Sequence, residues 1–310
     1  MQAVPTGGAK TERYGITVAD PSSFTTLRVG RIQHNYGEHP MMQLPALAEL
    51  AREMMPTGGC RFIRPGTTQG SEFWHDPTSP DGRTIEQVFQ DIEQPGSWVA
   101  LYNVEKVPRY RQFLTEIIDS VRAYIERDQR RIFLITGFIF ISAPPSVTPF
   151  HIDRENNFWL QVHGRKVINV WDHTDRSIVP ARDVEDFIVN RSLRNVRLKD
   201  GFTERGMEFD VGPGDGVYFP STTPHMTRSD RGWVKPGDGF SLSIGVNFYT
   251  ELTRRHARAH QANKLLRRLG LTPSDPGTST WRDSLKSPIG RAFGAARYLL
   301  RREKAPPGAY

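Results

Sequence analysis

Between Arg131 and Thr250 the chain never stays apolar for long. IFLITGFIFIS, TPFHID, NFWLQVH, KVINVWD, MEFDV, GVYFP and SLSIGVNFYT follow one another, divided by PPS, GP, PGDG and PSTTP turns. These runs are rich in β-branched and aromatic residues, and several alternate in polarity, so they read as strands. Many short strands between Gly/Pro turns fold as a sandwich, jelly roll or barrel.

The flanks read differently. Residues 1–25 are Gly-, Pro- and Ser-containing and aperiodic, which suggests a flexible lead-in. Residues 26–130 read as a helical and loop region packing on the β core. It includes helices at LPALAELAREMM and TIEQVFQDIEQ, a strand at 97–104 and a long amphipathic helix over 107–128. The β core is expected over 131–250, with a short helix in the insert VEDFIVNRSLRNVRLKDGF. Residues 251–310 form a basic helical region: one helix ends at Gly270, and a second runs from about Pro288 to Lys304. The fold class is therefore mainly β with flanking helices.

Composition excludes several classes. With 310 residues, 37% hydrophobic and 24% charged, the chain can bury a full core. Its longest apolar run, Ile132 to Ile141, is about half of what spans a bilayer. MQAVPTGGAKTERYG lacks the apolar core of a secretory signal, and the single cysteine, Cys60, fits a reducing compartment. A cytoplasmic location is the expectation. From Glu251 onward thirteen Lys/Arg face four Asp/Glu, whereas the whole chain carries +7, so the first 250 residues are slightly acidic. The basicity belongs to the tail. Regular apolar positions there (Leu265, Leu266, Leu269, Phe293, Leu299, Leu300) suggest packing helices rather than contact with nucleic acid or a membrane.

One constellation carries chemistry. In a strand His151 and Asp153 point the same way, with Ile152 opposed. A third ligand is available in His225, reached through a PGDG turn, a short strand and a second turn. Two His and one carboxylate hold one face of an octahedron and leave three positions open, the arrangement of non-haem Fe(II) oxygenases; structural zinc sites are usually closed by four protein ligands. His-x-Asp alone is a common chance pairing, and its weight comes from the order and the β context of all three residues. Such an iron needs a reductant, and a keto dicarboxylate needs a fixed cation. Lys166, thirteen residues after Asp153, offers the cation and Thr148 a hydroxyl. Asn157 and Asn247 are polar within apolar strand runs, and a buried amide needs partners. The bland alternatives are an exposed Lys166 beside Arg165 and two amides bonded to loop backbone.

TPFHIDRENNF, the GRK ending at Lys166, VGPGDGVYFPSTTPH and VNFY together resemble the JmjC or cupin-like 2-oxoglutarate oxygenases, in particular the branch of the asparaginyl hydroxylase factor-inhibiting HIF. The resemblance covers roughly residues 95–250. It implies a double-stranded β-helix (jelly-roll) core. It also implies His151, Asp153 and His225 as the iron triad and Lys166 and Thr148 as binders of the distal carboxylate of 2-oxoglutarate. Asn157 and Asn247 are then asparagines lining the pocket, and the C-terminal helices a possible homodimer contact. Tyr102 and Phe140 are candidates for lining, with plain core as their default. Dioxygen is the further co-substrate. A small molecule, a peptide or a protein side chain all suit the site as substrate, with the mouth set by loops between Gly58 and Arg83. The expected function is an Fe(II)/2-oxoglutarate-dependent oxygenase, most simply a hydroxylase, with demethylation the same chemistry on an N-methyl group. The alternative is a cupin-type metal-dependent isomerase or a ligand-sensing protein without turnover.

Of the remaining candidates, His34 and His39 read as structural or exposed. Cys60 has no neighbouring base, and Trp159 could face either the substrate or the core.

Overall fold

The computed structural model describes residues 13–233 and 239–301. Among these residues, thirteen strands form two antiparallel sheets. They are β1 (Ile16–Thr17), β2 (Gly30–His34), β3 (Cys60–Ile63), β4 (His75–Asp76), β5 (Trp98–Tyr102), β6 (Ile132–Ser142), β7 (Ser146–His151), β8 (Asn156–His163), β9 (Lys166–Val170), β10 (Met207–Val211), β11 (Asp215–Phe219), β12 (His225–Ser229) and β13 (Ser241–Thr250). The larger sheet runs β1-β2-β11-β8-β13-β6-β5-β3-β4, and the smaller β10-β9-β12-β7. Consecutive strands β6 and β7, and β8 and β9, lie in different sheets, so the chain crosses between the layers as in a jelly roll.

The period-2 pattern decides which side chains meet. In SLSIGVNFYT, Leu242, Ile244, Val246 and Phe248 lie on one face of β13, and Ser243, Gly245 and Asn247 on the other. The apolar face joins the largest core cluster together with Phe113, Leu114, Ile117, Ile118, Val121 and Ile125 of the helix α3 (Pro108–Gln129). That helix packs close: a Cβ on Gly137 of β6 would meet the Leu114 methyls at 2.7 and 2.8 Å. Between the sheets Trp159, Val217 and Phe219 from the larger meet Ile168, Val170 and Val211 from the smaller. A further cluster, including Phe150, Trp171, Phe187 and Met226, buries the outer face of the smaller sheet under the helix Ala181–Asn190, the short helix expected in the insert.

Three features differ from the sequence reading. The region before residue 131 is not only helical: it supplies β1 to β5, and Ile16–Thr17 of the expected lead-in pairs with β2. Of these, β5 matches the strand expected at 97–104; the other four are short and framed by loop composition, so no period announces them. HMTRS (His225–Ser229) is a strand although polar, because it is paired on both sides, with β7 and β9. The last helix spans Thr280–Arg301, beginning eight residues before the expected start and carrying Pro288 inside it; its expected end at Lys304 and residues 1–12 of the lead-in lie outside the described residues. The preceding helix, Glu251–Arg268, starts directly from β13 with a capping box of Thr250 and Thr253. These two helices and α3 leave no candidate membrane span among the described residues.

Phe158, fully buried between β8 neighbours and Tyr218 and Phe248, tests the layer packing. Phe158→Ala should cost about 3–5 kcal/mol in urea unfolding with an unchanged m-value; a loss below about 1 kcal/mol would contradict this packing.

Candidate metal centre and its polar lumen

Strand pairing brings the metal-ligand candidates together. His225 on β12 lies opposite His151 at the end of β7, and the two rings are 4.1 Å apart between centroids. Asp153 follows β7 and is held from the other side, where Thr222 N donates to its carbonyl oxygen at 2.8 Å. Asp153 Oδ2 is 3.8 Å from His151 Nε2 and 3.6 Å from His225 Nε2. One ligand atom from each of the three residues lies within 4.8 Å of the others, the one such group among the described residues.

The tautomers follow from the backbone. His151 Nδ1–H donates to Pro149 O at 2.7 Å and His225 Nδ1–H to Thr223 O at 3.0 Å. Each ring therefore turns the Nε2 lone pair toward Asp153. Burial is the main cause that pushes both imidazoles down to about 4, so they are neutral at pH 7. Burial likewise raises the Asp153 carboxyl, with His225 acting against it. Two neutral imidazole lone pairs and the Asp153 carboxyl group converge on one point. A divalent cation fits that donor set, and it has three ligands rather than the four of a closed structural site.

Residues 115–252 match the family model described as JmjC domain. That segment is similar to a JmjC domain. The matched description is of the domain at large and does not single out the asparaginyl-hydroxylase branch. No curated protein matches the chain. Among solved structures, one of E. coli YcfD is 17% identical with a TM-score of 0.46, covering 95% of this chain and 70% of its own. A structure of YcfD, a ribosomal oxygenase from Escherichia coli, in complex with cobalt and 2-oxoglutarate is 16% identical with a TM-score of 0.47, covering 92% and 68%. Another, with cobalt and succinic acid, is 17% identical with a TM-score of 0.45, covering 95% and 69%.

The other expected site residues line the space behind the triad. Lys166 opens β9 and is buried, unlike its neighbour Arg165, which pairs on the surface with Asp210. Its Nζ donates across the lumen to Ser243 Oγ of the larger sheet at 3.4 Å, its one hydrogen bond among the described residues, and no carboxylate joins it. Burial lowers its pKa to about 8. Thr148 on β7 is buried opposite Thr227. Asn157 and Asn247 face each other across β8 and β13, and Asn247 also opposes Thr136 of β6. Asn157 Oδ1, both amide atoms of Asn247 and Thr136 Oγ1 are buried without a partner. Asn157 also pairs with Phe219, whose ring lies 4.5 Å from that of His225. The seven expected site residues thus share one lumen, and Trp159 lies within it as core.

Sequence reasoning missed the wall contributed by the loop after β3. Phe150 N donates to Gln69 O at 2.8 Å, and Phe73 stacks on His151 with centroids 4.3 Å apart. His75 Nδ1 bonds Tyr102 Oη at 2.7 Å while its Nε2 is buried without a partner. Nothing in EFWHDP separates this histidine from an ordinary loop residue. Tyr102 is thus a lining residue whose acidity is suppressed by burial and by the Asp153 charge, and Phe140 packs edge-on against it. The structural readings of His34 and His39 agree with their contacts: His34 Nε2 bonds Gln161 O, and His39 stacks on Phe113. Burial pushes the Cys60 thiol up to about 12, which removes it as a nucleophile.

The two ligand imidazoles make a pH prediction. Their folded values near 4 lie below the ordinary 6.5, so the unfolded chain takes up protons first as pH falls. Their contribution to stability is complete above 6.5 and is lost toward 4. Metal-free protein should therefore lose urea stability across that window, and a His151→Gln/His225→Gln variant should show a shallower decline; equal slopes would contradict buried neutral rings.

Proposed function

We propose that the chain is an Fe(II)- and 2-oxoglutarate-dependent oxygenase that hydroxylates a C–H bond of its substrate. The observation that carries this reading is Lys166, a buried ammonium with no carboxylate beside it, in the same lumen as a three-ligand metal site. An unpaired buried charge is costly, and it is tolerated where a ligand supplies the counter-charge. A cupin isomerase or a metal-only sensor has no use for such a cation.

Iron(II) held by His151, Asp153 and His225 supplies dioxygen activation coupled to decarboxylation of 2-oxoglutarate to succinate. The chain's own residues do the rest. Lys166 pairs with the distal carboxylate of the co-substrate, and the Thr148 hydroxyl adds a hydrogen bond on the same face. Asn157 and Asn247 offer amide donors and acceptors that have no partner within the protein. Trp159, Ile168, Val170 and Phe219 exclude water behind them. His151 and His225 keep their Nδ1 protons on backbone carbonyls, so that the rings neither rotate nor exchange tautomer during turnover.

The substrate enters past the segment that leads from β3 into β4 and carries Phe73. On the outer side of that segment an open recess of about 490 Å³ is lined by Arg64, Thr67, Glu72 and the exposed Trp74. Such a surface suits a peptide or protein whose reacting side chain reaches inward while its backbone stays outside. An N-methyl group in that position would meet the same chemistry.

Lys166 gives the sign of a test. Its folded pKa of about 8 lies below 10.5, so between those values the folded protein is uncharged there while the unfolded chain is not. Ligand-free protein therefore gains stability from this group as pH rises from 8 to 10.5. Binding of 2-oxoglutarate needs the charged form and should weaken about tenfold per pH unit above that value. Lys166→Met should raise the unfolding temperature of ligand-free protein and abolish the stabilisation by 2-oxoglutarate measured with manganese(II) present. If the variant binds the keto acid as tightly as the parent, the co-substrate assignment fails.

A further inference from the structure

Away from the metal centre, the two C-terminal helices make a second site. They cross where Gly290 of Thr280–Arg301 meets Arg258 of Glu251–Arg268; a Cβ on Gly290 would stand 1.8 Å from the Arg258 carbonyl oxygen. Beside this crossing lies a groove of about 530 Å³, lined among others by Arg254, Arg255, Arg258 and Arg291. Glu251 is the one carboxylate in that lining, and Arg254 already takes it at 3.7 Å while lying over the Phe133 ring. Arg255, Arg258 and Arg291 make no ion pair among the described residues. Arg258 Nε is buried without an acceptor, and its guanidinium is disfavoured by burial and then by the charges of Arg254 and Arg291.

Solvated surface arginines spread apart and satisfy their donors with water. Here the helix crossing forces like charges together and dries one N–H. A carboxylate offers two oxygens and one charge, too little for three forked donors. A phosphate offers more oxygens and up to two charges, and guanidinium forks match it in a bidentate way. Ser287 adds a hydroxyl on the opposite wall. We propose that the groove between the two C-terminal helices is a binding site for a phosphate group, carried by a small molecule or by an RNA backbone.

The test uses the full chain and inorganic phosphate, titrated against sodium chloride at equal ionic strength, with unfolding temperature and phosphorus NMR line width as readouts. Phosphate should stabilise saturably and chloride should not. Arg255→Ala/Arg291→Ala, which removes two partly or fully exposed side chains, should weaken binding about tenfold or more. Lys166→Met and Asp153→Ala should leave it unchanged, which separates this groove from the metal centre. A second arm measures anisotropy of a labelled 12-nucleotide RNA. Binding lost in the double variant and competed by phosphate identifies the backbone as the source, whereas phosphate binding without RNA binding identifies a small ligand. Equal responses to phosphate and chloride, or an unaffected double variant, would overturn the proposal.

Discussion

The imidazole nitrogens of His151 and His225 and the Asp153 carboxyl group converge on one point, and that convergence organises one end of the lumen. It is imposed by backbone geometry. Each imidazole is oriented by a carbonyl two residues before it, Pro149 for His151 and Thr223 for His225. The loop bearing Asp153 is tied to the turn before His225 through Thr222 N. The three ligand atoms are already oriented toward one another, so the site costs little reorganisation to load with a cation. The fold therefore holds an arrangement ready for its ligand.

The rest of the lumen repeats that logic. Two sheets pack through an apolar cluster around Trp159 and Phe219, yet the same inward faces carry Lys166, Asn157, Asn247 and Thr136, all buried. Core positions filled by lysine and unpartnered amides lower stability in the ligand-free state. Their cost is offset by whatever ligand brings an acceptor to Lys166 and donors and acceptors to the amides. A dicarboxylate meets the first need directly.

Part of this was legible in the sequence. Strand alternation pointed to His151 with Asp153, although β7 ends at His151 and Asp153 lies just beyond it, held by Thr222 N. Asn157 and Asn247 stood out as polar residues in apolar runs, and only the pairing of β8 with β13 sets them opposite each other. Lys166 was readable as a candidate, but only the pairing of β9 inside the smaller sheet shows that it is buried while Arg165 is not. His75 and Phe73 were not readable. They reach the triad through loop contacts, Gln69 O to Phe150 N and Phe73 on His151, and tertiary contacts of that kind leave no periodic trace. The short early strands were missed for a related reason: β3 and β4 are too short to show a pattern and exist because β5 offers an edge. In the tail, periodicity gave the helices, but the convergence of Arg255, Arg258 and Arg291 arises only where Gly290 lets the helices touch.

The most direct measurement is an anaerobic titration of metal-free protein with Fe(II) and 2-oxoglutarate, following the weak visible charge-transfer absorption of the chelate. The account predicts a band that needs both additions, saturates at one iron per chain and is absent in Asp153→Ala. Iron bound by the parent with no band on adding 2-oxoglutarate would contradict it, leaving a metal-binding cupin without this co-substrate.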